Sequence, residues 1–438
     1  MKVPRKILPS KILRYVCAGA LVAAFSAALL QSPLDKAVAS PTAGNVAPRY
    51  DVDPFWPKPL PNNWLVGQVA GIAVDQYDHI WIIQRPRSLT SDERGASPLD
   101  ADGDIRVDQD GTPTGPVSEC CFQAPSVMEF DARGNLIQAW GGPADPGFLG
   151  VGGRCDPAAG CEWPVNEHGI YVDHNDNVYI GGNGSNPGDH QVLKFSKDGT
   201  FLLQIGQAGI SGGSNDTNGS ANGTPLLGRP ADMEVDPMTN ELYIADGYQN
   251  HRVIVVDADT GLYKRHWGAY GQNPVDDAGS DAMGPNNWQM GPYPPATMAP
   301  PHFRNPVHAV RITKDRLVYV ADRPNNRIQV FKPDGTFVQE KFIARETLGP
   351  GSTWDLDTSR DRRETFLFNA DGSNQHIWTL DRATLDILAT FGRNGRSAGQ
   401  FHWVHNLALD SKGNLYTAEV DTGKRAQKFV LRGGSPIN

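Results

Sequence analysis

Three histidines stand at the head of similar short apolar runs: His168 in EHGIYVD, His308 in VHAVRI and His405 in VHNLALD. If those runs are equivalent strands of a repeated unit, the three imidazoles share one register and converge on one point. Three neutral imidazoles from separate segments suit zinc and leave a fourth position for water or substrate. The plainer role for such residues is a turn hydrogen bond, since the chain has eleven histidines and some coincide in register without a ligand. His190, His251 and His376 fit that plainer role, because they share a third-strand position filled by Asn326 in another unit. His302 and His402 fall in loops that could line the same pocket.

Positioning three imidazoles this way needs a repeat, and residues 306–337 hold its clearest copy. There HAVRI, RLVYVAD and NRIQVFK alternate apolar and polar residues between turns, with a fourth strand starting at Thr336. That pattern predicts a four-stranded antiparallel blade. Further copies run over 71–87 with 126–141, then 168–206, 231–268, 353–392 and 404–431. The copy at 353–392 is degenerate, and the last lacks a full fourth strand. Six units predict an all-β, six-bladed propeller over 67–433, with a β-solenoid as the lesser alternative. The first strand of each blade, as in GIAVD and VHAVRI, is expected innermost, which places its leading residue at the channel mouth. Residues 40–66 form a Pro-rich lead-in, and the part from Tyr50 to Val66 is expected to close the ring on the last blade.

With 47 Gly, 34 Pro and 20% charged residues, the composition suits strands and turns better than long amphipathic helices. Basic residues from Lys2 to Arg14 precede an uncharged run over 15–30, and Ala37-Val38-Ala39 offers a cleavage site, so residues 1–39 read as an export signal. An uncleaved anchor is the alternative, and stable membrane insertion after cleavage is not expected. Cleavage removes six Lys/Arg and one acid, a net +5, so the charge moves from −9 to −14. So acidic a chain is a poor partner for nucleic acid. The expectation is a secreted or periplasmic monomer. Export leaves Cys120, Cys121, Cys155 and Cys161 to form two disulfides. A vicinal bridge is strained, so the pairs are expected to tie the 120s loop to the 155–161 loop. A cysteine zinc cluster is disfavoured, because adjacent thiolates lack the usual two-residue spacer.

Residues 68–430 resemble an NHL-repeat propeller, specifically the peptidyl-α-hydroxyglycine α-amidating lyase family. The family's zinc motifs Pro-His-Gly-Leu, Pro-His-Ser-Leu and Met-Pro-His-Asp are similar to EHGIYVD, VHAVRI and WVHNLAL. Its catalytic tyrosine, in Asp-Gly-Tyr followed by Asn and Arg, matches Tyr248 of DGYQNHR. Its active-site arginine, after the second strand of the first blade, matches Arg85 of IWIIQRPR. The resemblance implies cleavage of a C-terminal α-hydroxyglycine to an amide and glyoxylate. Zinc on His168, His308 and His405 would acidify the hydroxyl, Tyr248 would act as general base, and Arg85 would grip the carboxylate. On type alone, Tyr248 also suits packing and Arg85 a paired surface charge.

Departures from the family bear on the details. Trp403 stands where the family has a methionine. The family's structural calcium implies carbonyl ligands at Ile72 and Ile170, and here Asn406 replaces the aspartate, which predicts weaker binding. Gln249 follows Tyr248 where the family has a cysteine pair nearby, and no copper hydroxylase domain is expected beside the propeller. The acidic run DGDIRVDQD (102–110) lacks the spacing of a calcium loop and reads as a solvated insertion. Two other functions compete with a lyase acting on a small-molecule or peptide substrate. One is a non-catalytic propeller that binds a peptide, protein or glycan. The other is a calcium-dependent lactonase, which imidazoles at the channel register argue against.

Overall fold

The computed structural model describes residues 46–276 and 300–433, and the export signal expected over 1–39 lies outside them. The fold is a six-bladed β-propeller of four-stranded antiparallel blades. Blade 1 comprises Gln68–Val74, Ile80–Arg85, Val127–Phe130 and Leu136–Trp140. Blade 2 runs from Glu167–Val172 to Phe201–Gly206, blade 3 from Asp232–Asp236 to Tyr263–Trp267, and blade 4 from Val307–Ile312 to Phe337–Phe342. Blade 5 runs from Asp355–Thr358 to Ile387–Phe391 and keeps all four strands despite its degenerate sequence. Blade 6 comprises Val404–Leu409, Leu415–Glu419 and Arg425–Gly433, and its outer strand is Arg49–Asp53 from the other end of the chain. The innermost strands contact one another in sequence order, and that of blade 6 contacts that of blade 1.

The blades fold locally for a reason visible in the repeats. Asp75, Asp131, Asp173 and Asp410 each end a strand, and each carboxylate accepts the backbone N–H groups two and four residues on. This Asx turn fixes the hairpin without help from distant residues. The following strands carry a large ring, Trp81, Tyr179, Tyr243, Tyr319 or Tyr416, fully buried between blades. Three of these rings return to the turn: Trp81 Nε1 donates to Asp75 at 3.0 Å, Tyr179 Oη to Asp173 at 3.3 Å and Tyr416 Oη to Asp410 at 3.1 Å. Each ring buries about 150–250 Å². The lead-in seals the closure, with Trp56 packed on Phe130 and Tyr416 at centroid distances of 5.9 and 5.1 Å.

A buried acid–arginine pair anchors the upper turn of three blades. Arg252 Nε meets Asp246 at 2.8 Å, Arg327 Nε meets Asp322 at 2.7 Å and Arg425 Nε meets Glu419 at 2.8 Å. In the first two, Asn250 and Asn325 also donate to the carboxylate. Removing one partner of such a pair costs about 3–5 kcal/mol. The turns held this way present Tyr248 and Arg323.

The expected tie between the two cysteine loops is not formed. Cys120 is bonded to Cys121, and Cys155 to Cys161 with Cα atoms 5.0 Å apart. Cys155 and Cys161 lie inside the core beneath blades 1 and 2, among Trp140, Phe148 and Phe195. A backbone bridge from Leu149 to Cys155 and an Asp156 cap fold that loop onto itself. Its two thiols therefore meet each other, while Cys120 stays exposed on a separate insertion. In that insertion the acidic run forms two exposed Asx turns, on Asp100 and Asp108. No helix among the described residues is long and apolar enough to cross a membrane.

Candidate functional site

One position in the innermost strand decides the site. Pairing register places Ala70, His168, Ala231, His308, Trp354 and His405 at equivalent points of blades 1 to 6. At His168, His308 and His405 the ladder skips a residue, an irregularity that turns the side chain out of the sheet plane toward the axis. Histidine thus alternates with another residue around the ring. Each imidazole Nδ1 bonds the backbone carbonyl of the next blade's equivalent residue: His168 to Ala231 at 2.7 Å, His308 to Trp354 at 2.5 Å and His405 to Ala70 at 2.7 Å. A carbonyl only accepts, so each Nδ1 carries the proton and each Nε2 presents a lone pair. The ring centroids form a triangle with sides of 5.0, 4.6 and 4.8 Å.

The cluster is buried and uncharged. His168 and His308 are held well below the ordinary imidazole range, first by burial and then by neighbouring imidazoles and arginines. Burial, with Arg85 next, pulls His405 down to about 3. Ligand atoms of the three histidines lie within 4.8 Å of one another. The Tyr248 hydroxyl reaches 2.9 Å from His168 Nε2 and 3.1 Å from His308 Nε2. One phenolic proton cannot serve two acceptors, so the converging lone pairs exceed the donors supplied. Three neutral imidazoles with Nδ1 pinned by carbonyls are a set that fits a zinc ion.

Arg323 follows the second strand of blade 4 and donates from Nη1 to the Tyr248 oxygen at 3.1 Å. Its guanidinium lies 4.4 Å from the Trp354 ring centroid. Arg85 holds the equivalent place in blade 1, since Gln84-Arg85-Pro86 and Asp322-Arg323-Pro324 align in register. It donates to the Glu167 carbonyl at 2.6 Å, Gln68 Oε1 at 2.7 Å and Asn183 Oδ1 at 3.3 Å. Burial lowers the Arg85 pKa, opposed by Tyr248 and Glu167.

The fold brings together His168, His308, His405 and Tyr248, with Arg85 at the next position out. Arg323 escaped the sequence reading, although Arg-Pro after a second strand occurs in both blades and was available as a signal. Trp354 escaped it because it fills a histidine position with another residue type. Ile72, Ile170 and Asn406 are buried in the innermost strands of blades 1, 2 and 6, and Asn406 Oδ1 is turned onto His405 Nδ1. Trp403 is half-buried beside Trp354, centroids 5.2 Å apart. His190, His251, His302, His376 and His402 stand apart from the cluster; His376 Nδ1 meets the Gly392 carbonyl at 3.2 Å.

Known proteins share parts of this chain. The NHL repeat model matches residues 305–331, which are the first three strands of blade 4. Peptidyl-glycine alpha-amidating monooxygenase B of Xenopus laevis is 27% identical over 262 residues, covering 58% of this chain and 25% of that protein. NHL repeat-containing protein 3 of Mus musculus is 26% identical over 325 residues, covering 70% of this chain and 73% of that protein. Among solved structures, a streptogramin B lyase overlaps 89% of this chain and 98% of its own, at a TM-score of 0.45 and 12% identity. The chain is a six-bladed propeller whose fourth blade matches the NHL repeat model, with low-identity similarity both to amidating enzymes and to NHL repeat-containing proteins.

Proposed function

We propose that this chain is a secreted, zinc-dependent carbon–nitrogen lyase of the amidating type. Its substrate is an α-hydroxyglycine-type carbinolamine, and its products are an amide and glyoxylate. The observation that carries this reading is the Tyr248 hydroxyl, set between two imidazole Nε2 atoms with Arg323 on the same oxygen. The similarity to an amidating monooxygenase supports it, and the two disulfides suit export to an oxidising compartment.

His168, His308 and His405 would hold the zinc ion, whose Lewis acidity eases ionisation of a substrate hydroxyl. The chain's own groups do the rest. The carbonyls of Ala231, Trp354 and Ala70 keep each imidazole in the tautomer that frees Nε2. Arg85 receives the substrate carboxylate, joining or displacing the neutral oxygens of Gln68 and Asn183. Tyr248, as phenolate, takes the hydroxyl proton. The carbon–nitrogen bond then breaks, its electron pair leaves on nitrogen, and the proton held by Tyr248 passes to that nitrogen. The former hydroxyl becomes the aldehyde oxygen of glyoxylate. Arg323 steadies the charge on the Tyr248 oxygen before it takes that proton and after it gives it up. In the same proposal the carbonyls of Ile72 and Ile170 with Asn406 Oδ1 would hold a calcium ion, once Asn406 Oδ1 turns away from His405.

Metal analysis and a glyoxylate assay test the proposal together. Purified protein should carry close to one zinc per chain and release glyoxylate from a peptidyl α-hydroxyglycine, and His308→Ala should lose both with its circular dichroism unchanged. Metal-free wild-type protein that stays inert when zinc is added would refute it. That result would favour the second reading, a non-catalytic propeller binding a peptide, protein or glycan, for which the similarity to NHL repeat-containing protein 3 speaks.

A further inference from the structure

We infer that the ligand of this site carries a second anionic group, on the amide side of the cleaved bond, and that Arg229 receives it. The inference rests on the lyase reading for its chemistry and on charge bookkeeping for its physics. Two residues before the central ring position the blades carry Gln68, Asn166, Arg229, Pro306, Ser352 and Trp403, of which Pro306 and Ser352 are buried and the other four half-buried. Gln68 touches Arg85, and Asn166 touches the Asn183 that Arg85 touches. In blade 3 the residue at this position is a guanidinium.

Arg229 is half-buried, and its Nη2 donates to the Tyr248 backbone carbonyl at 2.7 Å. Its Nε is buried with no hydrogen-bond partner among the described residues. Asp189, the carboxylate whose field reaches it, is committed to the N–H groups of Val165, Asn166 and Gly184. Arg85 and Arg323 are in the same condition. Among the described residues Arg85 donates only to neutral oxygens, Arg323 donates only to the Tyr248 hydroxyl and lies over the Trp354 ring, and neither forms an ion pair. The contrast with the blades is sharp, because Arg252, Arg327 and Arg425 each bond a buried carboxylate.

Three guanidiniums with no carboxylate partner among the described residues, beside uncharged imidazoles, are costly unless a ligand neutralises them. The single carboxylate of an α-hydroxyglycine can occupy the fork of Arg85 or of Arg323, the second of which bonds the phenol oxygen of Tyr248. Arg229 sits against the backbone of Tyr248, and a second anionic group is what it is placed to receive. The chemical class is an N-acyl-α-hydroxyglycine whose acyl part ends in a carboxylate, such as a dicarboxylic half-amide or a peptide with an acidic residue before the hydroxyglycine.

Two pairs of probes test this on the full chain with zinc supplied. Glyoxylate release is compared for N-succinyl- and N-acetyl-α-hydroxyglycine, and calorimetric binding is compared for N-succinylglycine and N-acetylglycine, which cannot react. In wild type the succinyl member should be favoured at least tenfold in kcat/KM and in Kd. Arg229→Gln should bring both ratios close to one, and Arg229→Lys should retain most of the preference. A wild-type ratio near one, or a preference that Arg229→Gln leaves intact, overturns the inference. If neither hydroxyglycine reacts but the Arg229-dependent binding preference is present, the lyase reading falls and the dianion site stands.

Discussion

Arg323→Gln should lower activity and raise stability at once. The residue is 6% exposed, and its Nε has no hydrogen-bond partner among the described residues. Its one hydrogen bond, 3.1 Å to the Tyr248 oxygen, gains strength when negative charge gathers there. A hydrogen bond involving a charged group contributes about 1.5–3 kcal/mol. At 1.4 kcal/mol per factor of ten, kcat for glyoxylate release should fall about 10- to 150-fold, with KM changed less. Stability has two opposing parts. The cation at 4.4 Å from Trp354 contributes about 0.5–2 kcal/mol through its ring contact. Burying a guanidinium with no carboxylate costs several kcal/mol. The second outweighs the first, so metal-free Arg323→Gln should melt about 1–2 °C higher than wild type in a calorimeter. Unchanged kcat would refute the role assigned to Arg323. A fall of several degrees would show that the guanidinium is paired and that the charge argument for this mouth is wrong.

Two further expectations concern stability. Cys155→Ser with Cys161→Ser should cost about 2 kcal/mol, because a short closed loop is opened inside the core, and urea unfolding measures it; the exposed Cys120→Ser with Cys121→Ser pair should leave the midpoint nearly unchanged. The channel holds the carboxyls of Asp232, Glu234 and Asp355, all pushed upward by burial, with Arg311 acting against that push. A raised folded pKa means the folded chain binds more protons than the unfolded chain between the two values. The contribution is therefore complete below about pH 4 and is lost as pH rises toward 8, at about 1.4 kcal/mol for each pH unit per carboxyl held protonated. Metal-free protein should gain melting temperature between pH 8 and pH 7, above the range where the low-pKa imidazoles of His168, His308 and His405 act in the opposite sense, and Asp355→Asn should flatten that rise; a falling wild-type curve over the window would contradict it.

Most blades were legible because blades 2 to 5 are each specified within a single run of 36 to 40 residues. Asp-x-x-Gly/Asp-Asn turns, period-two strands and one large ring per second strand all act locally. The histidines were legible for the same reason: a register within a repeat translates directly into a position on the axis. Arg323 was harder, since its meaning depends on Tyr248 in another blade, and only aligning residues 84–86 with 322–324 connects them. The cysteines misled because spacing says nothing about where a loop folds back. A bridge across two insertions looked less strained than a vicinal one, yet Cys155 and Cys161 share a loop whose own hydrogen bonds close it.

The alternation around the channel follows from space as much as from chemistry. Ring centroids only 4.6–5.0 Å apart already place the three imidazoles in contact, so a fourth at the same level has nowhere to go. The positions between them must instead supply a carbonyl to the preceding imidazole and keep their own side chains clear. Ala70 and Ala231, both fully buried, do so by being small. Trp354 does so by turning aside, its Nε1 tied to the Gly351 carbonyl and its ring edge-on to His308 and His405 at 5.7 and 5.5 Å. That one large residue breaks the threefold pattern and backs Arg323. Polarity in the mouth is thereby divided, with an aromatic wall of Trp354 and Trp403 on blades 5 and 6 and Asn166, Asn183 and Arg229 on blades 2 and 3. A substrate whose two ends differ in polarity would enter such a mouth in one orientation, and Trp354, more than any histidine, sets which one.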